Sequence, residues 1–273
     1  MSKKISPKAE VSLDAVIGED VIIGPFTVIE ENVKIGDGTI IGPNVHIRSY
    51  TDIGKNCEIH SGAVIGDYPQ DYNFKKERSF TIIGDRNIIR EFVTIHRGTE
   101  KDSKTIIGND NMFMVSSHIG HNCIVGNNVV LVNHVSLGGY VTVMDRAFLS
   151  AVVQVHQFCR IGKYVMIGAL SKVVMDIPHY MLAEGDEVAT IRGLNVVGLR
   201  RAGFTPQQRE LIKKAYKIIY HSGLNFSDAL AKIKSDKELI ENDIIKELVN
   251  FFENSKRGIA RHHKKENSSN LDS

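Results

Sequence analysis

Residues 17–42 read IGEDVIIGPFTVIEENVKIGDGTIIG, and within this stretch an aliphatic residue followed by glycine recurs at a regular spacing. These pairs begin at residues 17, 23, 35 and 41, so every gap is a multiple of six. The phase continues along the chain: of the 29 positions reached in steps of six from Ile5 to Val173, 26 are Ile, Val, Leu or Phe. The chain therefore carries a six-residue repeat over more than half of its length.

This period matches neither the 3.6-residue period of an α-helix nor the simple alternation of a strand. It is typical of a parallel β-helix, in which three six-residue faces make one triangular coil of about 18 residues. Every sixth side chain then points inward, and a fully buried Ile or Val stabilises the fold by ~1.5–3 kcal/mol. We predict a mainly β fold, a hexapeptide-repeat parallel β-helix over residues 1–185.

Three positions depart from the inward pattern, namely Asp71, Glu77 and Lys101. A charged side chain cannot occupy such a core position without a partner. We therefore predict loops that leave the coil near residues 67–81 and 98–104. Loops on a rigid scaffold commonly contact ligands, and the segment Pro69-Gln70-Asp71 is the stronger candidate for such a role.

After about Asp186 the six-residue rhythm stops and helical patterns follow. Thr205-Pro206-Gln207-Gln208 combines a capping Thr, a first-turn Pro and a Gln at the capping-box position, which predicts a helix to about Tyr220. Ser227 is a candidate cap for a short second helix, and apolar residues at helical spacing predict another over residues 238–252. We expect a small α-helical C-terminal domain over residues 186–261 and a disordered tail over 262–273.

Composition restricts the partners and the compartment. The 34 basic and 32 acidic residues leave a net charge of +2, which does not call for nucleic acid or an anionic membrane. Cys57, Cys123 and Cys159 are far apart and form no CxxC pair, which favours reduced thiols and a cytoplasmic location. No stretch approaches ~18 uninterrupted apolar residues, so we expect no stable membrane insertion.

The coil length also places distant residues side by side. His121, Gly139 and Gln157 are 18 residues apart and fall in one column, with neighbouring coils ~4.8 Å apart. An imidazole beside a glycine N–H suits acyl transfer, because the imidazole accepts a hydroxyl proton and the N–H stabilises an oxyanion. No Ser-His-Asp or Cys-His order and no phosphate-binding loop is evident, so a covalent enzyme intermediate is not favoured.

Four segments carry a resemblance to a known family: IGDRNIIREFVTIHRGTEKDS (83–103), SSHIGHNCIVGNN (116–128), VHQFCRIG (155–162) and GLNVVGLRRAGF (193–204). They resemble the UDP-N-acetylglucosamine acyltransferases that begin lipid A synthesis, and the resemblance extends to about Arg261. It implies a left-handed β-helix and a homotrimer with active sites in clefts between subunits. It also implies transfer of a (R)-3-hydroxyacyl group from acyl carrier protein to the sugar 3-position, without cofactor or metal.

The resemblance also implies roles for individual residues. His121 is the general base and Gly139 N–H the oxyanion donor. Ala169 stands at the position that limits acyl length, with Leu170 and Met166 as neighbours that also bear on length. The residues expected to contact the UDP-sugar are Asp71, His96, His118, His156, Gln157, Asn195 and Arg201. A basic cluster suits the acidic carrier protein and consists of Arg192, Arg200, Arg201, Lys213, Lys214 and Lys217.

Some positions depart from the family pattern. Asn122 stands where relatives often have Asp, and Tyr140 where many have His; Asn73 and Ala202 replace basic residues. Asn cannot stabilise an imidazolium by charge, so support for His121 has to come from elsewhere. Because some relatives acylate a 3-amino sugar nucleotide, the acceptor atom remains open between oxygen and nitrogen.

Three other classes use similar coils. A γ-type carbonic anhydrase needs three histidines around a metal, and the longer spacing of its paired ligands is absent here. A hexapeptide acetyltransferase would use acetyl-coenzyme A without carrier protein. A purely structural or ice-binding coil predicts rows of Thr and no helical appendage, and neither feature is present.

Overall fold

The computed structural model describes residues 4–263, which form a parallel β-helix followed by five helices. The first sheet contains β1 (Lys4–Ile5), β4 (Ile22–Ile23), β7 (Ile40–Ile41), β10 (Glu58–Ile59), β13 (Ile88–Ile89), β16 (Met112–Phe113), β19 (Val130–Leu131), β22 (Phe148–Leu149), β25 (Met166–Ile167), β27 (Met181–Glu184) and β28 (Thr190–Leu194). The second contains β2 (Glu10–Val11), β5 (Val28–Ile29), β8 (His46–Ile47), β11 (Val64–Asp67), β14 (Thr94–His96), β17 (His118–Ile119), β20 (Ser136–Leu137), β23 (Gln154–Val155) and β26 (Lys172–Val173). The third contains β3 (Val16–Ile17), β6 (Lys34–Ile35), β9 (Thr51–Ile53), β12 (Phe80–Ile83), β15 (Lys104–Ile107), β18 (Ile124–Val125), β21 (Thr142–Val143) and β24 (Arg160–Ile161).

The six-residue repeat corresponds to the side chains that fill the coil. Ile23 and Ile41, which belong to this set, are 2% and 1% exposed, whereas Ile5 in the open first coil is 40% exposed. A second buried position lies two residues before each of these inward residues, because alternate residues of an extended chain point to the same face. Small residues occupy it, and all three cysteines belong to this second set: Val21, Thr27, Val33, Thr39, Val45, Thr51, Cys57, Ala63, Cys123 and Cys159.

Close stacking of the coils explains the recurring glycine. A Cβ added at Gly36 would lie 2.6 Å from the carbonyl carbon of Gly54 on the next coil. From Asp20 onward most faces also turn through one residue of positive φ, and bulky side chains such as Phe26 and Tyr50 share this conformation with Asn32 and Asn44. The stacked coils therefore impose a left-handed backbone conformation that bulky residues disfavour in isolation.

Two loops interrupt the coils without disturbing the phase. Val64 pairs with Thr94, an offset of 30 residues, and Thr94 pairs with His118, an offset of 24, whereas the next pair in the same sheet, His118 with Ser136, is offset by 18. The extra twelve residues form the loop 68–79, and the extra six lie within the loop 97–103. Asp67, Phe80, Thr81 and Lys104, which were expected in loops, are in strands. Insertions of whole repeats keep the later inward positions in register as far as Val173.

The helical part begins later than expected. Residues 190–194 form β28, antiparallel to β27, so the segment after residue 186 still belongs to the first sheet. The helices are α1 (Val196–Arg201), α2 (Pro206–His221), α3 (Phe226–Ser235), α4 (Lys237–Ile240) and α5 (Asp243–Glu253). Thr205 and Gln208 form the predicted capping box of α2. Asn225 and not Ser227 caps α3, and the helix expected over residues 238–252 is two helices, because Asn242 caps a new one.

The helices pack on the last coil through a second apolar core that contains Tyr180, Ile212, Leu248 and Phe251. The Arg160 guanidinium lies over the Phe251 ring, 4.3 Å from its centroid. The chain then returns to the β-helix, where Ile259 bridges Asp176 and His262 bridges Ile191. The predicted tail thus includes two placed residues, 262 and 263, and residues 264–273 lie outside the described part. Within residues 4–263, no helix combines the length and the apolar character needed to span a membrane.

Candidate active site

A shallow cleft of about 430 Å³ lies beside the second sheet and gathers most of the expected polar residues. His96 ends β14 and His118 begins β17, while His121 and Gly139 lie in the turns that follow β17 and β20. The residues lining this cleft are Gln70, His96, His118, Gly120, His121, Ser136, Leu137, Gly138, Gly139, Gln154, Val155, His156 and Gln157. Six predicted site residues therefore meet in one place, although they come from four coils.

His121 packs directly on Gly139, as the 18-residue column predicts. A Cβ added at Gly139 would lie 2.3 Å from His121 Cε1 and 2.4 Å from Nε2. Only glycine leaves room for the ring. Among residues 4–263 no group accepts a hydrogen bond from Gly139 N–H. An imidazole and a free backbone donor therefore lie within one contact of each other.

Hydrogen bonds determine which ring nitrogen of His121 carries the proton and which is free to act as a base. His121 Nδ1 lies 3.0 Å from Asn122 Oδ1, and the Thr99 backbone N–H donates to the same oxygen at 3.0 Å. Because a backbone N–H can only donate, the Asn122 amide presents its oxygen on this side. Nδ1 of His121 is then the protonated nitrogen, and Nε2 keeps a lone pair for proton abstraction.

Two further histidines are held neutral beside it. Burial lowers the pKa of His118 to about 4, with the neighbouring His96 and His121 adding to the effect. Burial also lowers the pKa of His96. The Thr94 hydroxyl lies 2.7 Å from His118 Nδ1, and the His96 ring meets the His118 ring edge-on with centroids 4.8 Å apart. Neutral imidazoles offer one donor and one acceptor each, which suits sugar hydroxyls.

His156 is oriented by a residue that the sequence did not indicate. Arg257 Nη2 lies 3.0 Å from His156 Nδ1. A guanidinium only donates, so Nδ1 is the acceptor and Nε2 carries the proton. The Gln157 carbonyl oxygen, 3.1 Å from the same Nδ1, is then a contact and not a hydrogen bond. His156 presents an N–H donor to the cleft.

Sequence reasoning also missed residues that the repeat contains. Ser136 pairs with His118, and Gln154 pairs with Ser136 on the next coil, so the same spacing that found Gly139 predicts their position. Gln70 comes from the loop 68–79, and no spacing rule places it. Neighbouring Asp71 does not line the cleft within one chain; its Oδ1 accepts a hydrogen bond from the Asn73 backbone at 2.8 Å.

Asn195 and Arg201 lie in a second cavity of about 620 Å³, beside the first sheet and α1. Asn195 Oδ1 accepts from Gly198 N at 3.0 Å and caps α1, while Nδ2 donates to the Tyr164 carbonyl at 2.9 Å. The single chain therefore does not bring these two residues to His121. Ala169 is exposed in a turn and lines neither cavity. Between residues 4 and 263, no cluster of three His, Cys, Asp or Glu side chains is arranged to hold a metal ion.

The stacked six-residue faces and the histidine-lined cleft place the chain among the hexapeptide transferases. The family described as bacterial transferase hexapeptide (six repeats) matches residues 14–49 and 32–67, and that described as UDP-N-acetylglucosamine O-acyltransferase, domain 2, matches residues 176–260.

Relatives extend the match to nearly the whole chain. The acyl-[acyl-carrier-protein]--UDP-N-acetylglucosamine O-acyltransferase of Aliivibrio fischeri (strain MJ11) is 48% identical over 94% of this chain and 98% of that protein. The protein of the same name from Xylella fastidiosa (strain Temecula1 / ATCC 700964) is 46% identical over 94% and 97%. The solved UDP-N-acetylglucosamine acyltransferase of Bacteroides fragilis 9343 has a TM-score of 0.90 at 45% identity over 94% and 99%. That of Francisella novicida has a TM-score of 0.90 at 43% identity over 94% of each chain. The chain belongs to the UDP-N-acetylglucosamine O-acyltransferase family.

Proposed function

We propose that this protein transfers a (R)-3-hydroxyacyl group from acyl carrier protein to the 3-hydroxyl of UDP-N-acetylglucosamine, the first step of lipid A biosynthesis. The observation that carries the proposal is the contact of the His121 ring with Gly139, whose N–H has no acceptor among the described residues. The relatives' names supply the donor and the acceptor.

The chemistry follows from this contact. His121 Nε2 removes the proton of the sugar 3-hydroxyl while that oxygen attacks the thioester carbonyl carbon. Negative charge develops on the carbonyl oxygen, and Gly139 N–H donates to it. Collapse of the tetrahedral intermediate breaks the carbon–sulfur bond, and the proton on His121 passes to the departing thiolate. Neutral His96, His118 and the N–H of His156 bind sugar hydroxyls.

The acceptor atom in this proposal is oxygen. The relatives at 46–48% identity are named O-acyltransferases, and they match over 94% of this chain. The departures at Asn122 and Tyr140 leave the His121–Gly139 contact intact. The 3-amino analogue is therefore the comparison substrate and not the preferred one.

The active unit in this proposal is a homotrimer. Asn195 and Arg201 line a cavity separate from the cleft that contains His121. A site that combines these two residues with His121 therefore needs a second subunit. Outward-facing side chains of the first and third sheets supply apolar surface for such contacts, including Ile40, Phe148, Ile106 and Ile124. In the assembly Asn195, Arg201 and Asp71 contact the UDP-sugar, and Ala169 limits acyl length.

Acyl carrier protein docks, in this proposal, on the basic cluster near the helices that the sequence indicates. Lys214 there pairs with Asp236 and Glu238, at 2.8 and 2.7 Å, so part of its charge is already compensated. The three thiols are free and buried, which fits a reducing compartment, and we place the enzyme in the cytoplasm.

Mass spectrometry of the products tests the reaction. Purified protein is incubated with a mixture of 3-hydroxyacyl carrier proteins and either UDP-N-acetylglucosamine or its 3-amino analogue. We expect an ester product, with one chain length dominating. Acylation of the amino sugar alone contradicts the O-acyl proposal, and turnover of acetyl-coenzyme A without carrier protein contradicts the donor.

Mixed oligomers test the shared site. His121→Ala and Arg201→Ala proteins are each expected to be weakly active, and co-refolding them should restore activity. A cleft with native His121 from one subunit and native Arg201 from another then forms. Absence of any gain contradicts the intersubunit site, and light scattering of the wild type reports the oligomeric state independently.

A further inference from the structure

Residues of the loop 97–103 form hydrogen bonds with Asn122, which follows the proposed base His121 in the sequence. Asn122 Oδ1 accepts from the Thr99 backbone N–H at 3.0 Å and from the Thr99 hydroxyl at 2.9 Å. On the other side of the same amide, Asn122 Nδ2 lies 3.4 Å from Glu100 Oε2. Both ends of the amide are therefore held by two consecutive loop residues, and its oxygen is aimed at His121 Nδ1.

Tyr140 ties the same carboxylate to the same histidine. Its hydroxyl donates a hydrogen bond to Glu100 Oε1 and lies 3.0 Å from the Thr99 hydroxyl. Its ring meets His121 edge-on at a centroid distance of 5.3 Å and stacks on Phe158 at 5.0 Å. Glu100 is exposed at the surface, yet both of its oxygens face partners that contact His121.

The protonation states agree with this arrangement. The hydrogen bond from Tyr140 holds the pKa of Glu100 below its ordinary value, so the carboxylate is ionised at neutral pH. Burial raises the pKa of Tyr140, and its hydrogen bond to Glu100 raises it further, so the phenol stays protonated as a donor. A negative charge thus lies one amide away from the imidazole.

Resting on the proposed acyl transfer, we propose that Glu100 is a positioning residue for His121. Its carboxylate, through the Asn122 amide and the Tyr140 hydroxyl, holds His121 in the Nδ1–H tautomer and stabilises the imidazolium that forms during the reaction. The charge that a carboxylate at position 122 would supply directly comes here from the loop 97–103.

Other ionisable groups surround the same ring and have to be counted. The imidazoles of His96 and His118 face His121 from β14 and β17, and burial lowers the pKa of both. Asp71, in the loop 68–79, raises the pKa of Tyr140 as a minor contribution. The neutral imidazoles supply no negative charge that could stabilise an imidazolium at His121. The Glu100 carboxylate, which is linked to His121 through the Asn122 amide, supplies that charge.

The test compares Glu100→Gln with Asp102→Asn. Both remove one negative charge from the same loop, but Asp102 pairs with Arg78 at 2.8 Å instead of reaching Asn122. We expect Glu100→Gln to lower kcat roughly tenfold with little change in KM, the size of losing one hydrogen bond to a charged group. The acid limb of kcat/KM against pH should move to lower pH by roughly half a unit. Asp102→Asn should leave both unchanged, and equal behaviour of the two variants overturns the proposal.

Two further experiments separate loss of the Glu100 charge from misfolding of the loop 97–103. Asn122→Asp alone places two carboxylates side by side and should lower activity, whereas Asn122→Asp in the Glu100→Gln background should recover it. Tyr140→Phe removes one link to Glu100 and keeps the stacking; unchanged kcat and pH profile in this variant also overturn the proposal.

Nitrogen NMR of the His121 imidazole gives a readout that needs no substrate. We expect the wild type to show the Nδ1–H tautomer and Glu100→Gln to show a mixture of tautomers. If the wild type shows no acyl transfer but the tautomer still changes between wild type and Glu100→Gln, only the proposed reaction is contradicted. Normal acyl transfer with an unchanged tautomer and pH profile in Glu100→Gln contradicts the positioning role alone.

Discussion

Arg257, which follows the last helix, donates a hydrogen bond from Nη2 to His156 Nδ1 at 3.0 Å. The two residues are 101 positions apart, and the contact links the C-terminal segment to a residue that lines the cleft. Arg257 Nε also donates to the Val174 carbonyl at 3.2 Å, so the guanidinium is anchored on the last coil. The segment that follows α5 thus contacts a residue of the candidate active site in the same chain.

Replacing Arg257 by Met should free His156 to change tautomer and orientation. We expect KM for the UDP-sugar to rise by about tenfold with kcat less affected, because His156 binds substrate in our mechanism and does not transfer the proton. Steady-state kinetics with saturating acyl carrier protein measures the two constants. Lys256→Met, at the exposed neighbouring residue, is the matched control. A fall in kcat with unchanged KM contradicts this role.

Loss of the base should abolish the reaction and spare the fold. We expect His121→Ala to reduce kcat by roughly 10²–10⁴-fold, the usual contribution of a general base. The melting temperature should stay close to that of the wild type, because the coil core lies elsewhere. His134→Ala, at an exposed turn, is the control. Substantial remaining activity in pure His121→Ala protein removes His121 as the base.

Gly139 is expected to tolerate no side chain. In Gly139→Ala the new Cβ meets the His121 ring, 2.3 Å from Cε1, and the imidazole has to move. A displacement of about 1 Å costs roughly 10²-fold in rate, so we expect kcat to fall by that order. Gly193→Ala adds the same methyl group with nothing within 4 Å of it. Similar kinetics for the two variants would mean that His121 is not held by this contact.

Acid should destabilise the junction between the β-helix and the helices through His179. Its Nδ1 accepts a hydrogen bond from Lys163 N at 2.7 Å, and burial lowers its pKa to about 3. Between an unfolded pKa near 6.5 and this value, the unfolded chain binds the extra proton, so stability falls as the pH falls. Over this whole pH range the extra proton on the unfolded chain lowers the free energy of unfolding by up to about 5 kcal/mol.

Melting temperatures measured from pH 7 to pH 4 test this linkage. We expect the decline to be shallower in His179→Asn, which starts from a lower stability because the packing against Phe251 is lost. His134→Asn serves as the exposed control. An equally steep decline in His179→Asn and the wild type would locate the acid sensitivity in other groups.

Much of the fold is predictable because one short-range rule is repeated. Each aliphatic-glycine pair sets an inward side chain and a close contact with the next coil, as at Gly36 and Gly54. The error at the start of the helical part has a physical origin. Residues 190–194 lack the six-residue rhythm because β28 runs antiparallel at the end of the sheet, where no further coil has to be matched.

The sequence by itself determined the six-residue phase, the 18-residue column and hence the contact of His121 with Gly139. That was possible because an unbroken repeat converts distance along the chain into position in space. Only the tertiary structure decided that Thr99 and Glu100 form hydrogen bonds with Asn122 and that Arg257 forms one with His156. It also decided that Asn195 lies apart from the cleft. These contacts join a loop or a terminal segment to the coil, and their geometry depends on how those segments fold back, which no period encodes.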